Sequence, residues 1–325
     1  MKEVEVSIIV ATYNPDFLKL KNTIYSIIKQ KECKFELIVT DDGSKQNYFI
    51  EIKELLQREQ FDNYQLVENK KNQGTCKNVY SGLKHASGKY VKVISPGDYL
   101  AYEMCLKEWC KYLKLNKLKA SFSNTIYYNY EKNQIHAIQR KRTDPIRKNI
   151  YGLKTYKKKT VDINCFLLRD YILGAAFMAE KDIMINYCKK LIEAGIVYTE
   201  DMMYKLMILD GIKIIYFPKS TVLYEYGIGI STSQNIKWTK LLLRDEENFD
   251  KLILTKTTSD IFVKKYQWYL KQKNKSRTYQ KFILTLLFPT YLLNKVIQKI
   301  DILVGKTKSC INIDWNYVNS FVKEK

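Results

Sequence analysis

The sequence predicts an α/β protein, in which a mostly parallel sheet flanked by helices is followed by a basic helical extension. Short runs of β-branched and apolar residues alternate with amphipathic helical patterns through most of the chain, and this alternation is typical of β-α-β units. The first two runs each end in small polar residues. From Lys237 onward the periodicity is helical and lysine-rich. We therefore predict an α/β domain over residues 1–235 and a helical region over residues 236–325.

The first β-α-β unit lies between Val4 and Ser44. One strand is predicted over Val6 to Ala11 and a second over Phe35 to Thr40. The segment from Phe17 to Gln30 repeats its apolar residues on one face and its lysines on the other, which indicates an amphipathic helix. Because the connection is a helix, the two strands are expected to be parallel neighbours.

Polar side chains follow both strands of this unit. In open α/β sheets, ligands bind at the carboxyl ends of the strands. We therefore expect Thr12, Tyr13, Asn14, Asp41 and Asp42 to lie in one crevice. An aromatic ring beside two carboxylates suits a nucleotide, because the ring can stack on the base and the carboxylates can accept hydrogen bonds from base N–H or ribose hydroxyls. The alternative for the two acids is turn chemistry, since Asp-Gly-Ser favours a turn.

The remaining elements follow from the same periodicities. Strands are predicted at Tyr64 to Glu68, Tyr90 to Ile94, Ala120 to Tyr130 and Lys213 to Phe217. Helices are predicted at Tyr48 to Gln60, from the 72–76 loop to near Gly88, Tyr102 to Leu115, Glu180 to Ala194, Tyr198 to Asp210, Trp238 to Asn248, Asp260 to Lys273 and Tyr279 to Ile300.

Residues 132–160 differ in composition from the segments around them. They contain ten Lys or Arg residues, one carboxylate (Asp144) and few aliphatic residues. We predict that this segment is a surface excursion and not part of the core.

The charge balance favours an anionic partner. The chain of 325 residues has 55 Lys and Arg against 34 Asp and Glu, a formal net charge of +21. Such an excess is typical of proteins that contact nucleic acid, an acidic membrane or a phosphate-bearing substrate. The hydrophobic content of 46% indicates a globular chain.

Cysteine and histidine usage points to a reducing compartment and against a histidine-rich metal site. Seven scattered cysteines form no C-x-x-C pair, and only His85 and His136 are present. This pattern is typical of reduced, cytosolic thiols. The first strand begins within the first six residues and no run of 18 apolar residues occurs, so we expect a cytoplasmic protein without a signal peptide or a membrane span.

Three motifs follow one another along the chain: S-I-I-V-A-T-Y-N ending at Asn14, D-D-G-S at positions 41–44 and N-Q-G-T-C-K-N-V-Y-S-G-L at positions 72–83. Together they resemble family 2 glycosyltransferases of the GT-A fold, of the bacterial surface-polysaccharide type. Their order and spacing match the family, and the resemblance covers roughly residues 4–232. It implies a Rossmann-like GT-A domain and a nucleotide-sugar donor, with UDP as the expected nucleotide.

The resemblance also implies roles for the residues of these motifs. Thr12 and Tyr13 would border the base, and Asp41 or Asp42 would accept from the uracil N–H. Gly74 would let the backbone approach the nucleotide, and Lys77 stands where the family usually has Arg. A Lys can serve as a point charge for phosphate. The alternative for Lys77 is a solvated helix residue.

The next landmark departs from the family pattern. Relatives usually end this strand in Asp-x-Asp or Asp-x-Asp-Asp, whose carboxylates hold a divalent cation on the diphosphate, whereas here the segment is S-P-G-D and only Asp98 remains. Mg²⁺ often takes only one or two protein carboxylates together with phosphate and water. We expect Asp98 to contact the metal, Mn²⁺ or Mg²⁺, or the sugar hydroxyls. The alternative is a plain turn, because Pro-Gly is a strong turn signal.

The segment Thr199-Glu200-Asp201 resembles the Glu-Asp pair of the family at the start of an acceptor-side helix. The resemblance makes Asp201 the catalytic base and Glu200 a neighbour that orients the acceptor or the metal. An inverting transfer needs a base within hydrogen-bond reach of the acceptor hydroxyl. A helix start is expected to keep the carboxylate ionised. The alternative is an N-cap at Thr199 followed by acids in the first turn.

A glycine- and serine-rich loop, residues 224–233, stands where relatives close a loop over the diphosphate. Relatives often carry a metal-binding His there, and this chain has none. Tyr226, Ser231 and Thr232 are candidates for phosphate or acceptor binding, with an ordinary loop as the alternative.

The C-terminal third is predicted to bind an anionic membrane surface. Between Val263 and Lys308 there are eleven Lys or Arg and one acid, Asp301. The apolar segment Phe282 to Leu293 is too short to span a bilayer and contains Pro289. Apolar residues flanked by lysines are typical of a helix in the membrane interface. The alternatives are packing on the catalytic domain and a homo-oligomer contact.

We therefore expect an inverting glycosyltransferase that uses a nucleotide-sugar, UDP-linked, and a glycan or lipid-linked acceptor of the capsule, lipooligosaccharide or teichoic-acid type. Its expected location is the inner face of the cytoplasmic membrane. Two alternatives remain open: a catalytically impaired nucleotide-binding protein, and a basic nucleic-acid-binding protein. The second ranks lower, because the basic residues lack regular aromatic interleaving.

Overall fold

The computed structural model describes residues 3–131, 134–228 and 236–322 and confirms the predicted α/β class. Within these residues, nine strands form one mixed sheet in the order β3-β2-β1-β4-β8-β6-β9-β5, with β7 paired to β6. The strands are β1 Val6–Thr12, β2 Phe35–Asp41, β3 Tyr64–Glu68, β4 Tyr90–Ile94, β5 Tyr99–Leu100, β6 Ala120–Glu131, β7 Gln134–Ala137, β8 Phe177–Glu180 and β9 Ile214–Glu225.

Twelve α-helices are seen in the described part of the chain, and the sheet has helices on both faces. They are α1 Phe17–Ile28, α2 Phe49–Arg58, α3 Thr75–His85, α4 Cys105–Leu115, α5 Lys158–Asp162, α6 Lys181–Glu193, α7 Met203–Leu209, α8 Ile236–Thr255, α9 Ile261–Leu270, α10 Arg277–Leu287, α11 Tyr291–Leu303 and α12 Trp315–Val318.

The parallel half of the sheet places the functional loops at one edge. Strands β3, β2, β1 and β4 are parallel neighbours, and the register pairs Thr12 with Asp41 at the ends of β1 and β2. Both strands are almost entirely buried, as expected for parallel strands that are covered by helices on both faces. The polar residues that follow them are therefore brought together by the pairing of the strands.

Strand β9 is longer than predicted. We predicted that it ends at Phe217; the next residue is Pro218, and proline cannot donate to a sheet ladder. In the structure β9 continues to Glu225, since its pairing with β6 shifts register near Asn124. An irregularity of this kind accommodates a proline. The extension carries Glu225 to the same edge of the sheet as Asp98, whose Oδ1 accepts the Glu225 N–H at 3.4 Å.

The prediction that residues 132–160 lie outside the core is wrong for part of the segment. Ile150 and Tyr151 are buried, and the Tyr151 ring packs edge-on against Phe122 with centroids 5.2 Å apart. Arg147 is also buried and forms an ion pair with Asp301 of α11 at 3.3 Å. The basic composition therefore did not reveal two buried contacts of this segment, one with the core and one with the C-terminal helices.

The C-terminal helices pack on the α/β core. Phe249 of α8, Val263 of α9, Leu284 of α10 and Tyr291 of α11 belong to the same buried cluster as Ile9 of β1. The single helix that we predicted over 279–300 is divided into α10 and α11 around Pro289. The predicted domain boundary at 235/236 adjoins 229–235, which lie outside the described residues.

Two further sequence expectations concern cysteines and membrane spans. All seven cysteines are free thiols. Among the described helices, none combines the length and the apolar character that crossing a bilayer requires.

We expect Gly82→Ala to destabilise the protein by about 1 kcal/mol, although alanine favours helix. Gly82 of α3 faces the sheet, and a Cβ there would lie 2.7 Å from Ile9 Cγ2 and 3.0 Å from Thr40 Cγ2. Urea unfolding measures the change. Lys84→Ala on the exposed face of α3 is the control and should stay within about 0.5 kcal/mol of wild type. An unchanged or higher stability of Gly82→Ala would show that α3 can move away from the sheet.

Candidate active site

A cleft of about 970 Å³ opens at the carboxyl ends of β1, β2 and β4. Thr12, Tyr13 and Asp42 line it, and so do Glu200 and Asp201, which come about 160 positions later, just before α7. The cleft is completed by Gly74, Ser95, Pro96, Asp98, Gly174, Ala175, Lys19, Lys205, Glu225 and, from α8, Lys237, Trp238, Leu241, Leu242 and Glu246. Seven of the ten predicted site residues therefore line this cavity: Thr12, Tyr13, Asp42, Gly74, Asp98, Glu200 and Asp201.

Asp41 supports a turn and does not line the cleft. Its Oδ1 accepts from Thr12 Oγ1 at 3.0 Å, and its Oδ2 accepts from the Ser44 N–H at 2.8 Å. The Ser44 hydroxyl also donates to this carboxylate. These bonds connect the end of β1 to the turn after β2. Asp41 therefore matches the alternative prediction of a structural residue in a turn. Of the two carboxylates predicted to accept from a base N–H, only that of Asp42 faces the cavity.

Asp42 connects the turn after β2 to the loop before α3. Its carboxylate accepts from the Gly74 N–H at 2.8 Å and from the Gln73 N–H at 3.0 Å. Burial raises the pKa of Asp42, and the two amides oppose that shift. Oδ1 has only the longer contacts, with the Gln73 N–H at 3.1 Å and Asn69 Nδ2 at 3.5 Å, so it is the oxygen on which a ligand donor could be accepted.

Gly74 is required for a reason that the sequence did not indicate. We predicted that it allows close approach of the nucleotide. In the structure its φ is +89° and a Cβ at this position would lie 2.2 Å from Val197 Cγ1 and 2.8 Å from Val197 O. The Cys76 N–H donates to the same Val197 carbonyl at 2.9 Å. Gly74 therefore allows the loop before α7 to pack directly on the start of α3.

Asn14 and Lys77 lie outside the cavity lining. The Asn14 N–H donates to Ser44 Oγ at 2.7 Å, and its Oδ1 accepts from the Lys45 N–H at 3.0 Å. Asn14 thus ties together the two loops at the sheet edge. Lys77 is exposed on α3, with Nζ 3.4 Å from Gln73 Oε1. In this structure Lys77 is therefore a solvated helix residue, as the alternative prediction stated.

The carboxyl groups of Glu200 and Asp201 lie beside the turn that contains Gly174. A Cβ on Gly174 would lie 3.0 Å from Asp201 Cβ and 3.6 Å from Glu200 Oε1. The buried Lys92 of β4 donates to the Ala175 carbonyl and so stabilises this turn. The absence of a side chain at position 174 therefore gives both acids room at the cavity.

Burial dominates the electrostatics of the acids in the cleft. It raises the pKa of Asp201 to about 6, against the opposing positive charge of Lys205. It raises the pKa of Glu200 to about 7 and that of Asp98 to about 8. We predicted that the helix start keeps Asp201 ionised, and with a pKa of about 6 it is still mostly ionised at pH 7. Desolvation brings this pKa towards neutral pH, where a general base is most effective.

Asp245 of α8 holds the loop that leads to these acids. Its side chain is fully buried, and its carboxylate accepts from three consecutive amides, Val197 N–H at 3.2 Å, Tyr198 N–H at 2.6 Å and Thr199 N–H at 3.2 Å. A carboxylate with several backbone donors forms strong, charge-assisted hydrogen bonds. The C-terminal region thereby contributes directly to the position of Glu200 and Asp201.

The residues around Asp98 do not fit a divalent cation. Within the described ranges, no group of three or more His, Cys, Asp or Glu side chains could hold a metal ion. Asp98 is buried and accepts from the Glu225 N–H. The neighbouring carboxylate, Glu225, is already paired through both oxygens with Lys19 at 2.7 Å. The predicted role of Asp98 as a Mn²⁺ or Mg²⁺ ligand therefore has no completed donor set in this structure.

Three residues that line or support the cleft were not predicted from the sequence. Lys205 follows Asp201 by four positions, so helical spacing could have indicated it. Asp245 and Glu225 carry no local signal, because their partners are 46 to 48 and 206 positions away. Of the predicted loop residues, Tyr226 packs edge-on against Tyr127, and Ser231 and Thr232 lie outside the described residues.

Comparison with known proteins gives one family and a set of similar folds. Residues 7–177 match the family model described as glycosyl transferase family 2. A protein of Rickettsia bellii (strain RML369-C), described as an uncharacterized glycosyltransferase, is 30% identical over 127 residues. That match covers 39% of this chain and 17% of the relative, so the chain spans less than a fifth of the length of that protein.

Solved structures share the fold at low sequence identity. The crystal structure of S. aureus TarS 1–349 in complex with UDP has a TM-score of 0.52 at 16% identity, covering 93% of this chain and 80% of that one. The UDP-GlcNAc complex of the same protein gives 0.53 at 16%, with 98% and 82% covered. The mannosyltransferase PcManGT from Pyrobaculum calidifontis, in complex with GDP-Man and Mn²⁺, gives 0.52 at 13%, with 92% and 76% covered. The fold is thus the predicted GT-A fold.

We expect Asp245→Ala to lower the free energy of unfolding by at least about 2 kcal/mol, because three backbone amides lose their buried acceptor. Hydrogen exchange of the amides at 197–199 should accelerate more than exchange in β1. Glu247→Ala, an exposed change on the same helix, is the control and should stay within about 0.5 kcal/mol. Unchanged exchange at 197–199 in Asp245→Ala would mean that another group holds the loop.

Proposed function

Because the chain belongs to glycosyl transferase family 2, we propose that its cleft transfers a sugar, with inversion, from a UDP-sugar to a hydroxyl of a surface glycan or lipid-linked acceptor. The observation that carries this proposal is the meeting of two groups of residues in one cavity. Thr12, Tyr13 and Asp42 follow the parallel strands, and Glu200 and Asp201 reach the same cavity from a segment about 160 positions later.

The donor is assigned to the side of the cleft formed by β1 and β2. Tyr13 is 51% exposed at the cavity and offers a ring face for a base. Asp42 offers a carboxylate for the uracil N–H, in a position fixed by Gly74. Complexes of the similar S. aureus TarS contain UDP and UDP-GlcNAc, which supports a uridine nucleotide, whereas the complex of PcManGT contains GDP-Man.

Asp201 is assigned as the general base. Its carboxylate would accept the proton of the acceptor hydroxyl as the hydroxyl oxygen forms a bond to the anomeric carbon. The bond from that carbon to the diphosphate breaks at the same time, and the electron pair leaves with the diphosphate oxygen. With a pKa of about 6, Asp201 is mostly ionised at pH 7 and still basic enough to take the proton. Glu200, beside it, would orient the acceptor.

The proposed reaction does not use a metal ion. PcManGT was solved with Mn²⁺, and divalent cations are common among GT-A enzymes. In this chain the carboxylates near Asp98 are buried or paired with Lys19. If transfer is absent while UDP still binds, the chain is the catalytically impaired nucleotide-binding protein that the missing Asp-x-Asp motif suggests.

We further propose that α10 and α11 place the protein on an anionic membrane, where a lipid-linked acceptor would be found. Each helix has one exposed apolar face, whose residues recur mostly at spacings of three or four positions, and other residues of the same helix are buried. The exposed residues are Tyr279, Phe282 and Leu286 on α10 and Leu292, Leu293, Val296, Ile300 and Leu303 on α11, each between 39% and 84% exposed.

Charge favours lipid over another protein as the occupant of this face. Lys281 and Lys299 are exposed on the same two helices, Arg277 begins α10, and Lys271 and Lys275 precede it. Each cation near an anionic surface contributes roughly 1 kcal/mol. An apolar face flanked by lysines is typical of helices that lie in the membrane interface.

We expect Asp201→Asn to fold and to bind UDP like the wild type, but to transfer sugar at least a hundred-fold more slowly, because a positioned base contributes about 10²–10⁴ in rate. Turnover of a UDP-sugar in the presence of the acceptor measures the loss. Asp182→Asn, an exposed substitution on α6, is the control and should leave turnover unchanged. Turnover of Asp201→Asn close to wild type would place the base elsewhere.

The pH profile gives a second readout of the same assignment. Because the base must be ionised, wild-type kcat/KM should fall as the pH drops through about 6, the pKa of Asp201. In Asp201→Asn the residual rate should lose this acid limb. An unchanged acid limb in the variant would assign the titration to another group, with Glu200 as the first candidate.

We expect the triple change Leu286→Ser, Leu293→Ser and Leu303→Ser to weaken binding to phosphatidylglycerol-containing vesicles by at least about ten-fold, because each leucine contributes on the order of 1 kcal/mol on burial. Vesicle flotation measures the bound fraction. Ile50→Ser, at an apolar residue of α2 that is 74% exposed, is the matched control. If the triple variant floats as wild type does, the helices contact something other than lipid.

A further inference from the structure

An ion pair between Lys19 and Glu225 lies in the cleft. Lys19 comes from the first turn of α1 and Glu225 ends β9, 206 positions later, yet Lys19 Nζ lies 2.7 Å from both Glu225 oxygens. The Glu225 side chain is only 6% exposed, whereas Lys19 is 27% exposed. The ammonium group is therefore anchored on a buried carboxylate and still reaches the cavity, where both residues are part of the lining.

This pair takes up the space that a carboxylate at position 97 would need. Gly97 has a φ of +97°, and a Cβ built on it would lie 2.7 Å from Glu225 Oε2 and 3.6 Å from Lys19 Cδ. An aspartate at position 97 would clash with the Glu225 carboxylate. Within the S-P-G-D segment, the missing acidic side chain is thus compensated in space by an acid from a distant strand, and this acid brings a cation with it.

A donor diphosphate needs positive charge in this cleft. Among the described residues, the lining contains seven acids and three lysines, Lys19, Lys205 and Lys237. The acids are Asp16, Asp42, Asp98, Glu200, Asp201, Glu225 and Glu246. Lys205 is on α7, one turn after Asp201, and Lys237 is on α8. Lys19 is the cation on the donor side, since it follows β1 and lies against the turn after β4.

The geometry of Lys19 suits phosphate binding. An ammonium group has three donors, and two of them are directed at the Glu225 oxygens. The third is available for a phosphate oxygen at the cavity. Glu225 holds the ammonium in place before the ligand arrives, so that little side-chain entropy is lost on binding. A fixed cation at a departing diphosphate stabilises the charge that develops in the transition state.

We propose that Lys19, held by Glu225, binds the donor diphosphate and stabilises its developing charge in place of a divalent cation, so that UDP binding and sugar transfer proceed without added metal. This inference rests on the proposed function, and it adds the group that neutralises the leaving diphosphate.

The test compares wild type with Lys19→Met in EDTA and in excess Mn²⁺. Wild type should bind UDP with the same affinity in both buffers, measured by calorimetry, and should transfer sugar in EDTA. Lys19→Met should bind UDP at least about ten-fold more weakly and transfer sugar about 10²-fold more slowly, as when one transition-state donor is removed. Its affinity for uridine, which has no phosphate, should be unchanged.

Two further variants keep the test independent of folding. Lys19→Met leaves Glu225 buried without its partner, so the double variant Lys19→Met with Glu225→Gln removes the unpaired charge and should show the same loss of UDP affinity. Lys21→Met, on the same helix but outside the cavity lining, should bind UDP like wild type. Equal UDP affinity in wild type and in the double variant would overturn the proposal.

The outcomes also separate this inference from the proposed function. Wild type that transfers sugar only with Mn²⁺ would overturn the role of Lys19 and leave glycosyl transfer intact. Wild type that neither binds UDP nor transfers sugar in either buffer would overturn the proposed function itself.

Discussion

Buried carboxylates that accept backbone N–H groups hold this cleft together. Asp42 accepts from the amides of Gln73 and Gly74, and Asp245 accepts from three consecutive amides of the loop before α7. Each carboxylate fixes a loop that has no regular secondary structure of its own. Between them, the contact of Gly74 with Val197 brings the two loops together. The cavity exists because these loops cannot separate without leaving buried charges unsatisfied.

This arrangement divides the acids in and around the cleft into structural and chemical groups. Asp41 and Asp245 only hold the loops in place, and Asp42 does so in part. In the described part of the chain, Glu200 and Asp201 have no comparable set of backbone donors from other loops, and burial brings their pKa values to about 7 and about 6. The acids that remain for chemistry are therefore those whose protonation is poised near neutral pH. Glu225 forms a third group, since it positions a cation at the edge of the cavity.

Local patterns predicted much of the fold and part of the site. Strands β3 and β4 have the predicted ends, because their apolar runs are bounded by clear turn residues. The placement of Thr12, Asp42 and Asp201 in one cavity followed from parallel strand ends and from the family resemblance. Asp41 ends β2 and Asp42 follows it, so the two side chains point in different directions. The sequence alone does not tell which of them faces the cavity.

Contacts between distant segments could not be predicted from the sequence. The amide partners of Asp245 lie 46 to 48 positions away and the partner of Lys19 lies 206 positions away, so no spacing rule connects them. The basic segment 132–160 concealed the buried Tyr151, because composition averages over residues that face opposite ways. The strand predicted to end at Phe217 continues past Pro218 to Glu225, because it pairs with β6.

The most direct test of the central claim is a crystal structure of the protein with a UDP-sugar bound. The account predicts that the uracil lies beside Tyr13 and Asp42, that the diphosphate reaches Lys19, and that the Asp201 carboxylate faces the anomeric carbon across a gap wide enough for one acceptor hydroxyl. A nucleotide bound outside this cleft, or an Asp201 side chain directed away from the sugar, would contradict it.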